Sequence, residues 1–181
     1  LKLITLWGNR LDGEVPITLC SLAELTFLGL SDNQLSGAIP ACLGNLIKLA
    51  GLFLSGNQLT GGIPTELGQL LQLTQLYLSH NQLSGIIPSS LGSLSWLEEI
   101  YLSGNQLYGS VPSELGNLVA LRTLALDDNL LSGALPEGLG NLNNLEQLSL
   151  GINRFSGSLP NSLGNLTGLT TLNVGTNQLT G

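Results

Sequence analysis

The stretch LAGLFLSGNQLTGGIPTELGQLLQ, residues 49–72, decides the architecture, because the chain repeats it. Asn recurs at 9, 33, 57, 81, 105, 129, 153 and 177, one every 24 residues, with no insertion or deletion. Gly recurs in step from Gly13 to Gly181, and all seven prolines share one register from Pro16 to Pro160. Leu holds position 19 of every complete repeat, from Leu19 to Leu163, and position 22, from Leu22 to Leu166. Position 1 is taken here as Leu1, Leu25, Leu49 and their equivalents, which makes each Asn position 9. A fixed period of this length means that one supersecondary unit is stacked on copies of itself.

The spacing within one unit predicts its path. Positions 3 to 6 alternate, as in Phe27-Leu28-Gly29-Leu30, which is the pattern of a short strand with one buried face. Leucines at 4 and 6 point into the core, and positions 3, 5, 7 and 8 point away. Asn9, Asn33, Asn57, Asn81, Asn105, Asn129, Asn153 and Asn177 are expected to form a buried structural ladder. An amide side chain both donates and accepts, so each can bridge backbone groups of its own coil and the next. A polar residue at 12 and Gly at 13 are expected to start a second bend. Val, Ile or Leu at 15 returns to the core. Pro at 16 fixes φ and lacks a donor, which suits the start of a helical turn. Positions 17–22 have room for one α or 3₁₀ turn.

One unit buries too few apolar side chains to offset the ordering of its backbone, so the coils must stack. Parallel strands spaced about 4.8 Å apart give a sheet on the order of 35 Å long. Residues 1–181 are expected to be one domain of seven complete repeats and a partial eighth. Neither end shows a capping repeat, so a fragment of a longer chain is expected.

Composition excludes several classes. Charged residues are only 9% and the net charge is −7, which disfavours a nucleic-acid partner. No run of apolar residues is long enough to span a membrane. No phosphate-cradling glycine motif follows a strand. His80 is the only histidine, so no His-based metal set is available, and Asp128 lies too far along the stack to complete a Ser103–His80–Asp128 triad. No catalytic residue, metal or cofactor is expected.

The unit LxxLxLxxNxLxGxIPxxLGxLxx resembles the plant-type leucine-rich repeat over the whole chain, and its GxIPxxLGxL half separates that subfamily from other leucine-rich repeats. The resemblance implies an α/β-type solenoid. It would be a right-handed superhelix with a parallel concave β-sheet and short 3₁₀ or helical turns on the convex side. It also implies an extracellular recognition domain, as in ectodomains of receptor-like kinases, receptor-like proteins and secreted inhibitors of cell-wall-degrading enzymes. The cysteine pairs typical of that family's caps are missing here, and no membrane span or kinase segment is present.

Recognition is expected at the variable strand positions facing away from the core. Position 5 reads Thr5, Gly29, Phe53, Tyr77, Tyr101, Ala125, Ser149, Asn173. Phe53, Tyr77 and Tyr101 fall on successive strands, so they are expected to form a ladder on the concave face with Phe27 beside it, either to dock a partner or to stiffen the sheet. Trp7 falls on the same face. Acidic residues follow: Glu98, Glu99, Asp127, Asp128 and Glu146, with Arg122 the only base among them. These suit either a basic patch on a partner or a solvated face. The candidate ligand-binding set is therefore Phe27, Phe53, Tyr77, Tyr101, Glu99, Asp127 and Asp128. Asn165-Leu166-Thr167 is an N-glycosylation sequon on the convex side. Cys20 and Cys42, at positions 20 and 18 of neighbouring repeats, either bridge or fill two small buried sites, and both states remain open.

The expected function is a ligand-recognition module of a cell-surface or secreted protein, binding a protein or peptide through its concave face. The alternatives are a secreted inhibitor of a cell-wall-degrading enzyme and a structural or adhesive repeat array.

Overall fold

A computed structural model describes residues 1–181. Each repeat forms one coil of a solenoid. The first strand of each coil covers positions 3–5, from Leu3–Thr5 to Thr171–Asn173. These eight strands pair in parallel, each with the next coil, in strict register: Leu3 with Phe27, Gly51 with Gln75, Glu99 with Thr123. This is the concave sheet expected from the repeat. Leucines at 4 and 6 are fully or nearly fully buried through the middle coils, as the period-two pattern requires.

The expected bend at positions 12–13 is instead a second strand. Residues such as Gln34–Ala38 and Gln58–Gly61 belong to a second eight-stranded parallel sheet on the other flank of the core. Sequence periodicity missed it because a strand this short buries only its position 11 residue, Leu59 for example. After it, Pro at 16 adopts φ near −65° and opens a 3₁₀ helix over positions 17–21, from Ile17–Ser21 to Asn161–Asn165. Between the sheets and these turns lies one continuous apolar core from Val15 to Leu166.

The Asn column ties the coils together. Asn81 Nδ2 donates to Leu54 O of the preceding coil (3.0 Å) and to Leu78 O (3.1 Å) and Ser79 O (3.3 Å) of its own. Its Oδ1 accepts the Leu59 N–H at 3.0 Å. The same set recurs at Asn33, Asn57, Asn105, Asn129 and Asn153. The bridged neighbour is thus the preceding coil rather than the next one; the next coil is met instead by the asparagine backbone N–H, as in Asn57 N to His80 O at 3.2 Å. Asn9, the first of the column in residues 1–181, is exposed and bonds Leu6 O and Trp7 O of its own turn.

Two further features fix how closely the coils approach. Position 8 is left-handed in every repeat, including Asp32, His80, Asp128, Ile152 and Thr176, with φ between 52° and 56°. Gly, Asp and His tolerate this conformation, but β-branched Ile152 and Thr176 are strained there. Position 20 is glycine in the middle coils because a Cβ on Gly44, Gly68, Gly92 or Gly116 would meet the next coil's position 18 carbonyl oxygen at 2.3–2.6 Å. The first coil has Cys20 at that place, and it is bridged to Cys42, at position 18 of the second coil, with Cα atoms 5.7 Å apart. A covalent link therefore stands where the other coils have a glycine contact, and this closes the question that the sequence left open.

The ladder predicts unequal costs for one substitution. Asn81→Ala strands the buried Leu59 N–H and leaves the Leu54, Leu78 and Ser79 carbonyls with one donor each instead of two, and should lower unfolding free energy by about 1–3 kcal/mol. Asn9→Ala, which breaks only exposed bonds within one coil, should cost clearly less. Urea unfolding of the two variants measures the difference.

Candidate functional site

The alternation that buries Leu at 4 and 6 projects positions 3, 5 and 7 from the concave sheet. Phe27, at position 3, and Phe53, Tyr77 and Tyr101, at position 5, meet there. Ring centroids are 4.6 Å apart for Phe27–Phe53, 4.7 Å for Phe53–Tyr77 and 4.6 Å for Tyr77–Tyr101. The first pair stacks and the last is edge-to-face, both favourable arrangements of the ring quadrupoles. All four rings are half-buried, because they lean across the sheet rather than stand upright. Glycine makes room: a Cβ on Gly51 would lie 2.5 Å from the Phe53 ring and 3.0 Å from that of Phe27. Trp7 stands outside this stack and is largely exposed.

Glu99 belongs to the ladder as well. Its carboxylate accepts a short hydrogen bond from the Tyr77 hydroxyl and lies 3.5 Å from Gln75 Nε2. Burial first, and then the hydrogen bond and negative charge of Glu99, push the Tyr77 phenol well above its ordinary value.

Beyond Tyr101 the column falls from large to small: Ala125 is the next position 5 residue and is buried, followed by Ser149. The step opens a groove of ≈ 440 Å³ walled by Tyr77 and Tyr101 and reaching Thr123, Asp127, Gln147 and Ser149. Asp127 Oδ1 accepts from Ser103 Oγ at 2.8 Å. Position 7 thus faces the groove, and its serines were missed in the sequence because small hydroxyl residues carry no distinctive signal. His80, exposed at position 8, lines the groove too.

Of the sequence-derived set, the groove brings together Tyr77, Tyr101 and Asp127. Phe27 and Phe53 continue the ladder away from it, and Glu99 sits behind Tyr77. Asp128 occupies the left-handed turn and is exposed. Glu98 and Glu146 are drawn instead to Arg122, at 4.0 and 2.9 Å, ahead of the strands. No three His, Cys, Asp or Glu side chains converge in a metal-holding group. No helix is long and apolar enough to cross a membrane. Asn165, the sequon residue, is exposed at the end of the last 3₁₀ helix.

The Tyr77 environment gives a titration prediction. The neutral phenol's stabilising contribution is fully present below the unfolded tyrosine value of about 10 and is lost as pH rises toward the raised folded value. Ultraviolet titration should show one of the three tyrosines ionising above the ordinary range, and Glu99→Gln should move that phase down without normalising it, because burial remains.

Comparison with known proteins agrees with this architecture. A leucine-rich-repeat family model matches residues 24–46, 48–70, 120–142 and 144–166, and a second one matches 61–107. No curated protein matches the chain. Among solved structures, a TDR receptor is 37% identical with a TM-score of 0.96, over 98% of this chain and 31% of that one. The Arabidopsis receptor kinase HAESA, solved with the peptide hormone IDA and the co-receptor SERK1, is 37% identical with a TM-score of 0.92, over 98% and 30%. A plant ice-binding protein is 32% identical with a TM-score of 0.76, over 100% and 66%. The chain spans about a third of the length of the receptor chains it matches. On its 24-residue unit, its ladder of asparagines and these matches, the chain belongs to the plant-type extracellular leucine-rich-repeat family.

Proposed function

We propose that this chain is a ligand-recognition module of a cell-surface or secreted protein, taking an extended peptide or protein segment along its concave face rather than catalysing a reaction. The observation that carries this is the four-ring ladder ending in a polar groove. The solenoid does not need aromatics in that column, since Gly29, Ala125 and Ser149 fill it elsewhere. Half-buried aromatics beside hydroxyl groups and a carboxylate supply both anchor area and directional contacts. The HAESA structure supports a peptide as the class of ligand, because it contains a peptide hormone and a co-receptor. An extracellular setting is supported by the Cys20–Cys42 bridge, since disulfides persist in oxidising compartments. An exposed sequon at Asn165, as a site for a convex-side glycan, fits the same setting.

A second reading is favoured by the other flank. From Gln34 to Gly133 the five strands of the second sheet carry no charged side chain. They present a regular array that includes exposed Gln34, Gln58, Gln82 and Gln106 and, one pleat on, Ser36, Thr60, Ser84 and Ser132. Ladder spacing repeats such groups about every 4.8 Å, with Leu130 ending the glutamine row and Tyr108 interrupting the hydroxyl row. Together with the similarity to a plant ice-binding protein, this supports adsorption to ordered water on that face.

Substitution separates the two. Tyr77→Ala or Tyr101→Ala should weaken a peptide ligand by about 2 kcal/mol or more, while the solenoid still folds cooperatively: it loses ring contacts of about 0.5–1.5 kcal/mol per pair, but no core leucine is touched. Convex Glu66→Ala should leave binding nearly unchanged. If the tyrosine variants bind normally, the concave reading fails. If Thr60→Arg abolishes an ice-growth effect that the tyrosine variants keep, the second-sheet reading replaces it.

A further inference from the structure

The step at the end of the aromatic ladder has a charge imbalance that the ladder itself does not explain. Asp127 faces the groove with Ser103 Oγ on one carboxylate oxygen and no cation on either. The ion pairs of this chain are Lys48 with Glu24 and Arg122 with Glu98 and Glu146, and none of them reaches Asp127. No Lys or Arg lines the groove. A second polar group is also unmatched. Ser79 is 7% exposed, lines the same groove, and its hydroxyl has no hydrogen-bond partner. Buried hydroxyls are normally partnered, so one left alone beside an open groove marks a place where an incoming group completes the set.

We infer that this groove is a specificity pocket for a basic side chain, Lys or Arg, of the peptide ligand. The inference rests on the concave-face reading and names the residue that the face selects.

The shape suits such a side chain. Tyr101 pairs in register with Ala125, and Asp127 lies two residues further along the same strand direction, on the same side of the chain. A ligand side chain entering past Tyr101 meets a floor of buried Thr123 and Ala125, with Asp127 at its far edge. The methylene stem of a Lys or Arg packs along the tyrosine ring, where cation–π attraction also acts on its head. The head then meets the Asp127 carboxylate, a charge-assisted contact stronger than a neutral hydrogen bond. A guanidinium has five N–H donors and can also serve the Ser79 and Ser103 hydroxyl oxygens. An acidic side chain would face Asp127, with Glu99 on the same sheet adding repulsion. An aliphatic one would desolvate the Asp127 carboxylate with only the Ser103 hydroxyl to balance its charge and would leave Ser79 unpartnered, which costs affinity against the basic competitor.

A displayed random-peptide library panned on the full chain supplies the probe. Selected peptides are then synthesised, and their affinities for the chain and its variants are measured by calorimetry. Binders that Tyr101→Ala weakens should share one Lys or Arg. Asp127→Asn, which keeps the shape and the Ser103 contact, should cut their affinity at least about tenfold. Replacing the shared basic residue by norleucine should cut it similarly, and should cost little more in the Asp127→Asn background, since the two changes remove one interaction. Asp32→Asn, at an equivalent exposed turn outside the groove, should change little. Binders that need Tyr101 but share no basic residue and ignore Asp127→Asn would overturn the pocket while leaving the concave site standing. Binders indifferent to Tyr101→Ala, or a library that yields none, would overturn both.

Discussion

Each coil of this solenoid depends on a side-chain amide that does the work of a backbone strand. At position 9 the chain must leave the concave sheet and turn across the core; the carbonyl at 7 still accepts an N–H of the preceding coil, but the carbonyl at 6 has no backbone donor. Asn81 supplies donors to those carbonyls and to Leu54 of the preceding coil, and its oxygen takes the Leu59 N–H. Unpaired, each of these buried backbone groups would cost about as much as a lost hydrogen bond. Because one amide serves two coils, it also fixes their relative height. Both sheets, the glycine contacts at position 20 and the stacked leucine core inherit that spacing.

The spacing is what gives the concave face its chemistry. Side chains at position 5 of successive coils are held a strand's width apart, so four aromatics become a contiguous ladder and one drop in size becomes a groove. The same rule makes the second sheet a regular, uncharged surface between Gln34 and Gly133. A rigid lattice of this kind turns single substitutions at outward positions into local changes of surface with little effect on the core, which is why recognition can vary while the framework stays constant. Between the first two of these coils the Cys20–Cys42 bridge stands in the place of the position 20 glycine contact.

Much of this was legible from the sequence because periodicity encodes it. Leu at 4, 6, 11, 19 and 22, Asn at 9 and Pro at 16 each announce a fixed environment, and strand, ladder and 3₁₀ turn follow. The second sheet was not legible: a strand such as Gln58–Gly61, with one buried residue, shows no alternation to detect. The direction of the Asn bridge depends on the sense in which the coils wind, which spacing alone does not specify. The aromatic ladder could be placed by register, but the lean of Phe27 and Phe53 over Gly51 could not, since it depends on space that only the folded sheet defines. The groove at Asp127 arises from what is absent at Ala125 and Ser149, and small residues carry little signal.

Hydrogen exchange at the position 11 amides tests the central role of the ladder most directly. The N–H groups of Leu35, Leu59, Leu83, Leu107 and Leu131 are each bonded to the Asn Oδ1 of the following coil. They should exchange as slowly as the amides of the concave strands, through opening of the stack rather than by local fraying. Exchange as fast as that of exposed turn amides, with the concave strands still protected, would show that the asparagines decorate the coils and do not hold them together.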